Sequence, residues 1–184
     1  MLLLLATFSY FGANTKVGEQ LLFEGKSTKA SFEHASCKTE GEASGTLYCV
    51  TRVVDGDTID LYMDGKSIRV RLLGINTPET VDPRRPVECF GEEASKKAKE
   101  ILMGKYVSVE ADPSQGEYDK YGRMLLYVYL PDGTFFNKMM IEVGYAHEYT
   151  YRYPYKYQQD FKVAERDARL HERGLWAAGA CQTK

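Results

Sequence analysis

No Cys-x-x-Cys pair is present among the 184 residues, and there are only three histidines, so a zinc finger or zinc ribbon has no ligand set to form on. No heptad or extended apolar surface pattern occurs, which excludes a coiled coil and makes a monomer the expected state. No apolar run reaches the length of about 20 residues that crosses a bilayer, so stable membrane association is not expected. Charge of one sign is not in excess either. With 24 Lys and Arg against 26 Asp and Glu the net charge is -2, which excludes a protein that grips nucleic acid by bulk positive charge. Any such contact must be local. What remains, 43% hydrophobic and 27% charged, is an ordinary globular composition, and a chain of this length buries a sizeable core without staples.

Four cysteines, Cys37, Cys49, Cys89 and Cys181, are therefore not required for folding. Two readings stay open for them: disulfides in an exported protein, or buried thiols. The opening run from Met1 to Ala13 is similar to the apolar region of a signal peptide, although the first lysine is Lys16 and a basic start is missing. A secreted or periplasmic location is expected, with a cytoplasmic one as the alternative. Residues 1–45 read as an export leader followed by a flexible segment, because 14–45 are rich in Gly, Ser, Thr, Glu and Lys without a sustained period. Residues 46–184 read as the folded domain.

Within that domain, Leu47 to Val54 is rich in strand formers, Asp55-Gly56 turns the chain, and Ile59, Leu61 and Met63 alternate with polar positions. Asp64-Gly65 is a hairpin signal, and Ile68 to Gly74 alternates again as a third strand. Prolines 78, 83 and 86 make Thr77 to Phe90 a loop. Glu92 to Met103 has Ala94, Ala98, Ile101 and Leu102 on one helical face, with acids in its first turn and Gly104 as a stop. Tyr106 to Glu110 and Arg123 to Leu130 follow as strands, the second entering a turn at Asp132-Gly133. Asn137 to Val143 reads as a short helix with Asn137 as its cap. The last helix spans about Tyr157 to Arg173, and beyond Gly174 the Leu175-Trp176 pair can fold back on the core. Five strands with a helix between the third and fourth, plus two later helices, predict an α+β protein. Its element order is that of a five-stranded OB-type barrel with about three helices.

Three clusters carry chemistry. Asp55-Gly-Asp-Thr58 sits at a turn, Arg71-Leu-Leu-Gly-Ile-Asn-Thr-Pro-Glu79 leaves a strand, and Asp119-Lys-Tyr-Gly-Arg123 enters one. Each alone is commonplace turn chemistry. Together they hold what phosphodiester hydrolysis requires. Asp57, the Asn76 side-chain carbonyl and a main-chain carbonyl at Thr77 offer oxygen ligands to a hard cation such as calcium. Arg71 and Arg123 offer planar forks of donors to phosphate oxygens. Glu79 can accept a proton from, or orient, an attacking water.

At these residues the sequence resembles the thermonuclease, or staphylococcal-nuclease-like, family over roughly Leu47 to Trp176. The Val54 to Thr58 turn, Arg71 with Asn76-Thr-Pro-Glu79, Cys89-Phe-Gly-Glu-Glu-Ala94, Asp119 to Arg123 and Gly174-Leu-Trp176 occur in that family's order and spacing. The resemblance implies an OB-fold, calcium-dependent nuclease that cuts DNA and RNA to 3'-phosphate ends. It also implies Arg71, Glu79 and Arg123 as catalytic residues, and Asp57, Asn76 and the main chain of Thr77 as calcium ligands. One departure is Asn76, where the family's best-known form carries a carboxylate, so calcium is expected to bind more weakly. Six of the 14 tyrosines lie between Tyr145 and Tyr157. Tyr149 and Tyr151 match the family's pair of nucleotide-pocket tyrosines, while at least half of the run is expected to pack inside. Lys120 and Tyr121 are further substrate contacts, and exposed rings favour single-stranded substrate because unstacked bases offer their faces. The runner-up is a non-catalytic OB-fold module that binds nucleic acid or protein. The co-occurrence of Arg71, Glu79 and Arg123 weighs against it. A calcium-binding protein without hydrolytic activity would leave both arginines unexplained.

Overall fold

The computed structural model describes residues 46–80 and 86–181. Seven strands and three α-helices follow in the order β1 (Tyr48–Val53), β2 (Thr58–Met63), β3 (Lys66–Leu72), β4 (Ile75–Asn76), α1 (Gly91–Leu102), β5 (Tyr106–Ala111), β6 (Met124–Tyr129), α2 (Phe136–Glu142), β7 (His147–Glu148) and α3 (Gln158–Leu170), with a 3-10 turn at Gly174–Trp176. Strands β1, β2, β3, β6 and β5 close into a barrel in that order, and β4 pairs with β7 outside it. The expected barrel and helix order are present.

The inward positions of the alternating strands make the core. Val50, Ile59, Leu61, Val70, Leu72, Val107 and Val128 are buried inside the barrel, and Phe136, Met140, Ile141 and Phe161 from α2 and α3 extend the same cluster. Three details differ from the sequence expectation. The third strand ends at Leu72 rather than Gly74, because Gly74 has φ of 75° and turns the chain into β4. The ring atoms of Tyr155 and Phe161 stand 2.7 Å from where a Cβ at residue 74 would sit, so the turn requires glycine on steric grounds as well. Asn137 is not the cap of α2. It is fully buried within the first turn, where its Oδ1 accepts from the Val128 N–H at 2.9 Å and its Nδ2 donates to the Leu73 carbonyl at 2.9 Å. Two short strands, β4 and β7, were too brief to show periodicity. Their pairing sets Asn76 opposite His147 and Ile75 opposite Glu148.

Cys89 and Cys181 form a disulfide that ties the approach to α1 to the end of the chain. Cys49 is also disulfide-bonded, and Cys37, like the proposed leader, lies outside the described residues. No helix among the described residues is long and apolar enough to cross a membrane.

Candidate active site

One end of the barrel gathers the three sequence clusters because of strand register. Thr58 at the start of β2 faces Arg71 near the end of β3, and the parallel pairing of β3 with β6 sets Arg71 beside Leu125, two residues past Arg123. The barrel closes through this parallel contact, which no local pattern announces. The turn before β2 closes on itself when the N–H groups of Val54 and Asp55 donate to the Thr58 carbonyl. Gly56 lets it pack against the next cluster, since a Cβ there would fall 2.5 Å from the Thr77 methyl group.

Asp57 is buried and heavily solvated by protein. Its Oδ2 accepts from the Thr77 N–H at 2.9 Å and the Thr77 hydroxyl at 3.3 Å, and its Oδ1 accepts from the Thr58 hydroxyl at 3.0 Å. Arg71 stands against it, with Nη2 at 3.2 Å from Asp57 Oδ2. The same guanidinium donates from Nη1 to the carbonyls of Leu72 at 2.7 Å and Ile75 at 2.8 Å, and from Nη2 to Asn76 Oδ1 at 3.2 Å. Arg71 is therefore no solvated surface side chain: one fork holds the β3–β4 corner and the other lies between the oxygens of Asp57 and Asn76. Arg123 is held more loosely. The Asp119 carboxylate accepts from the N–H groups of Tyr121 and Arg123 and, at 2.7 Å, from Arg123 Nε. This leaves the Nη side of Arg123 directed to the Thr58 hydroxyl, 3.5 Å away. Burial works against the Asp119 charge, but the Arg123 N–H, its guanidinium and the Tyr121 N–H outweigh it and hold the carboxyl below its ordinary range.

Glu79 and Glu88 are hydrogen-bonded to one another. The Glu79 N–H donates to Glu88 Oε2 at 3.0 Å, the Glu88 N–H donates to the Glu79 carbonyl at 2.9 Å, and the Glu79 carboxylate accepts from the Thr80 N–H. The Cys89–Cys181 disulfide follows directly. Glu79 thus stands on backbone pinned to Glu88.

All ten residues singled out from the sequence line one cleft of about 1090 Å³. Of these, Asp57 and Thr77 are buried, Asn76, Arg71, Glu79 and Arg123 are half-buried, and Tyr121, Tyr149 and Tyr151 are exposed. Tyr149, Tyr151 and Tyr153 are exposed, whereas Tyr155 is buried and Tyr145 and Tyr157 are half-buried, so half of the tyrosine run packs inside. The Tyr155 hydroxyl lies 3.2 Å from the Gly74 carbonyl and 3.0 Å from the Glu148 carboxylate and shares its proton between them, fixing the run to the β3–β4 corner.

Asp55, in the same turn as Asp57 but without a role assigned from the sequence, also lines the cleft. Burial, then the neighbouring charge of Asp57, pushes its carboxyl up to about 6. The signal was present: carboxylates two apart across a glycine turn can share a face. Asp55, Asp57, the Asn76 amide oxygen and the Thr77 carbonyl are all hard oxygen donors, and two carboxylates crowded in a buried corner are what a divalent cation relieves. The donor types suit a calcium-like ion, which would take Asp57 Oδ2 and Asn76 Oδ1 from Arg71 Nη2, and among the described residues no three His, Cys, Asp or Glu side chains gather as a ready-made metal cluster.

Comparison with known proteins agrees with the resemblance. The family described as Staphylococcal nuclease homologue matches residues 69–178. The chain is 40% identical over 135 residues to the thermonuclease of Staphylococcus hyicus, covering 73% of this chain and 78% of that protein. It is 37% identical over 156 residues to the thermonuclease of Staphylococcus intermedius, covering 85% and 89%. Endonuclease YncB of Bacillus subtilis (strain 168) is 37% identical over 127 residues, covering 68% of this chain and 59% of YncB.

Proposed function

Since the chain belongs to the staphylococcal nuclease homologue family, it is a nuclease, and we propose that it is a calcium-dependent phosphodiesterase that hydrolyses DNA and RNA to 3'-phosphate products. The observation that carries this is the meeting of two guanidinium groups, Arg71 and Arg123, with Asp57, Asn76, Thr77 and Glu79 in one cleft. Glu79 holds the attacking water and takes its proton. The water oxygen bonds to phosphorus, the bond from phosphorus to the 5'-oxygen breaks, and that oxygen takes a proton from solvent, to which Glu79 then returns its own. Arg71 and Arg123 donate to the non-bridging oxygens, whose charge grows as phosphorus becomes five-coordinate. Asp119 is a positioning residue: it spends Nε of Arg123 and leaves the outer nitrogens for the phosphate. Asp57, Asn76 and the Thr77 carbonyl, with Asp55 beside them, would hold calcium, which when bound supplies positive charge against the phosphate.

Lys120, Tyr121, Tyr149 and Tyr151 bind the substrate. Lys120 stands 5.0 Å from the Tyr121 ring centroid, Arg123 lies 5.3 Å from the same ring, and Arg71 lies 6.0 Å from that of Tyr149. Bases stacked on these rings would sit beside the cations that hold their phosphates, which supports a preference for single strands. The protein acts as a monomer in an exported location without stable membrane attachment. The Cys89–Cys181 disulfide supports an oxidising compartment. The test is digestion of denatured DNA and of RNA with calcium or with EGTA, followed by end-group analysis. Calcium-dependent cutting that leaves 3'-phosphates is expected. Folded protein that binds oligonucleotide and cuts neither polymer at millimolar calcium would instead favour the non-catalytic module.

A further inference from the structure

The cleft does not stop at the residues placed so far. Tyr118, 51% exposed, and Tyr153, 67% exposed, line its outer part together with Gln115 and Arg152. Exposed tyrosines at this density need a reason, since a large ring left in water forgoes the burial that stabilises it elsewhere. The inner rings have partners: cations lie over Tyr121 and Tyr149, and Tyr149 and Tyr151 lean together at 6.5 Å. Tyr118 and Tyr153 have neither a ring nor a cation over their faces among the described residues.

They are nevertheless held on a fixed frame. Buried Asp112 accepts from the Ser114 N–H and hydroxyl on one oxygen, and from the Tyr127 hydroxyl and the Lys156 N–H on the other. Gln115 Nε2 then donates to the Pro154 carbonyl at 3.1 Å and the Tyr153 carbonyl at 3.4 Å. The loop that leads to Tyr118 is thus sewn to the loop that carries Tyr153. Arg152 lies 5.4 Å from the Tyr151 ring centroid, immediately precedes Tyr153 in the chain, and forms no ion pair among the described residues. Two pre-set ring faces and a guanidinium without an ion pair, lining the same cleft as the proposed phosphate site, are the chemistry of a stacked, charged single strand.

We propose that Tyr118, Tyr153 and Arg152 form a second stacking subsite that binds the single-stranded nucleic acid chain beyond the nucleotides at the scissile bond. The proposal rests on the reading of the cleft as a nucleic-acid site, but not on hydrolysis. It is tested by anisotropy of labelled oligothymidylates in EGTA, which keeps cutting off. A dinucleotide is compared with a strand of about 12 nucleotides, within the roughly 4–16 that an OB fold covers. Wild-type protein should bind the longer strand at least about 100-fold more tightly than the dinucleotide. The Tyr118→Ala/Tyr153→Ala double variant should lose most of that gain, at about tenfold per ring. The Tyr118→Phe/Tyr153→Phe variant should keep it, because stacking uses the ring and not the hydroxyl. A wild-type protein with no gain on the longer strand, an alanine variant that retains the gain, or a phenylalanine variant that loses as much as alanine would each overturn the subsite. A protein that shows the gain yet cuts nothing with calcium would overturn the nuclease reading and leave the subsite standing.

Discussion

The two arginines of the cleft look alike in sequence and differ in their surroundings. Arg71, with 12% of its side chain exposed, is bonded to two carbonyls, Asn76 and Asp57, whereas Arg123 is 27% exposed and has Asp119 as its one ion-pair partner among the described residues, with a long contact to the Thr58 hydroxyl. Removing one partner of a buried pair strands the other, so Arg71→Ala should cost about 3 kcal/mol of stability, against about 1 kcal/mol for Arg123→Ala. Urea unfolding of both variants reads the difference, and equal losses would contradict the distinction. Asn76 poses a second question at this scale. Replacing it with Asp restores a negative charge beside Asp57, and Asn76→Asp should tighten calcium binding by about tenfold in a calorimetric titration. Unchanged affinity would mean that residue 76 does not touch the ion. The residue types were legible in advance because Arg, Glu, Asp and Asn announce phosphate and cation chemistry in any fold. What Arg71 spends on its own backbone was not, since it depends on where the β3–β4 corner turns.

At the scale of elements, the alternating strands and the α1 and α3 stripes were readable because each buries one face with a regular period. Asn137 was misjudged for a physical reason. An Asn at the start of a helical pattern usually caps it, and only the packing of α2 across β6 turns its amide toward Val128 and Leu73. The β3–β6 parallel contact was equally hidden, as it joins residues far apart in the chain. Asp112 shows how such joints respond to pH. Burial opposes its charge, but hydrogen bonds from Lys156, Ser114 and Tyr127 prevail and hold the carboxyl below its ordinary range. A depressed folded-state pKa adds stability that is complete above the unfolded value of about 3.9 and is lost as pH falls through the lower, folded one. Asp112→Asn should therefore be destabilised by about 2 kcal/mol at neutral pH. The gap to wild type should narrow below about pH 4 in acid unfolding curves. A gap that stays constant from pH 7 to pH 2 would contradict this role.

Across the whole molecule, the Cys89–Cys181 disulfide spans 92 residues and ties the last turn to the base of the loop that carries Glu79. Closing so long a loop restricts the unfolded chain, so Cys89→Ser/Cys181→Ser should cost about 2–5 kcal/mol. Its unfolding midpoint in urea should fall accordingly, and an unchanged midpoint would show that the bridge constrains nothing. The C-terminal turn has a second anchor in the Gly144–Gly174 crossing, where the Leu175 N–H donates to the Gly144 carbonyl at 2.8 Å. The sequence left the cysteines between two readings because pairing is a property of the assembled fold.

The most direct measurement is the rate at which wild-type and Glu79→Gln proteins digest heat-denatured DNA at millimolar calcium, with unfolding midpoints taken alongside. If Glu79 moves the proton of the attacking water, the variant should lose about 10²-fold or more in kcat, with KM and stability nearly unchanged. A Glu79→Gln protein that cuts at the wild-type rate would contradict the assignment of this cleft's chemistry to that carboxylate.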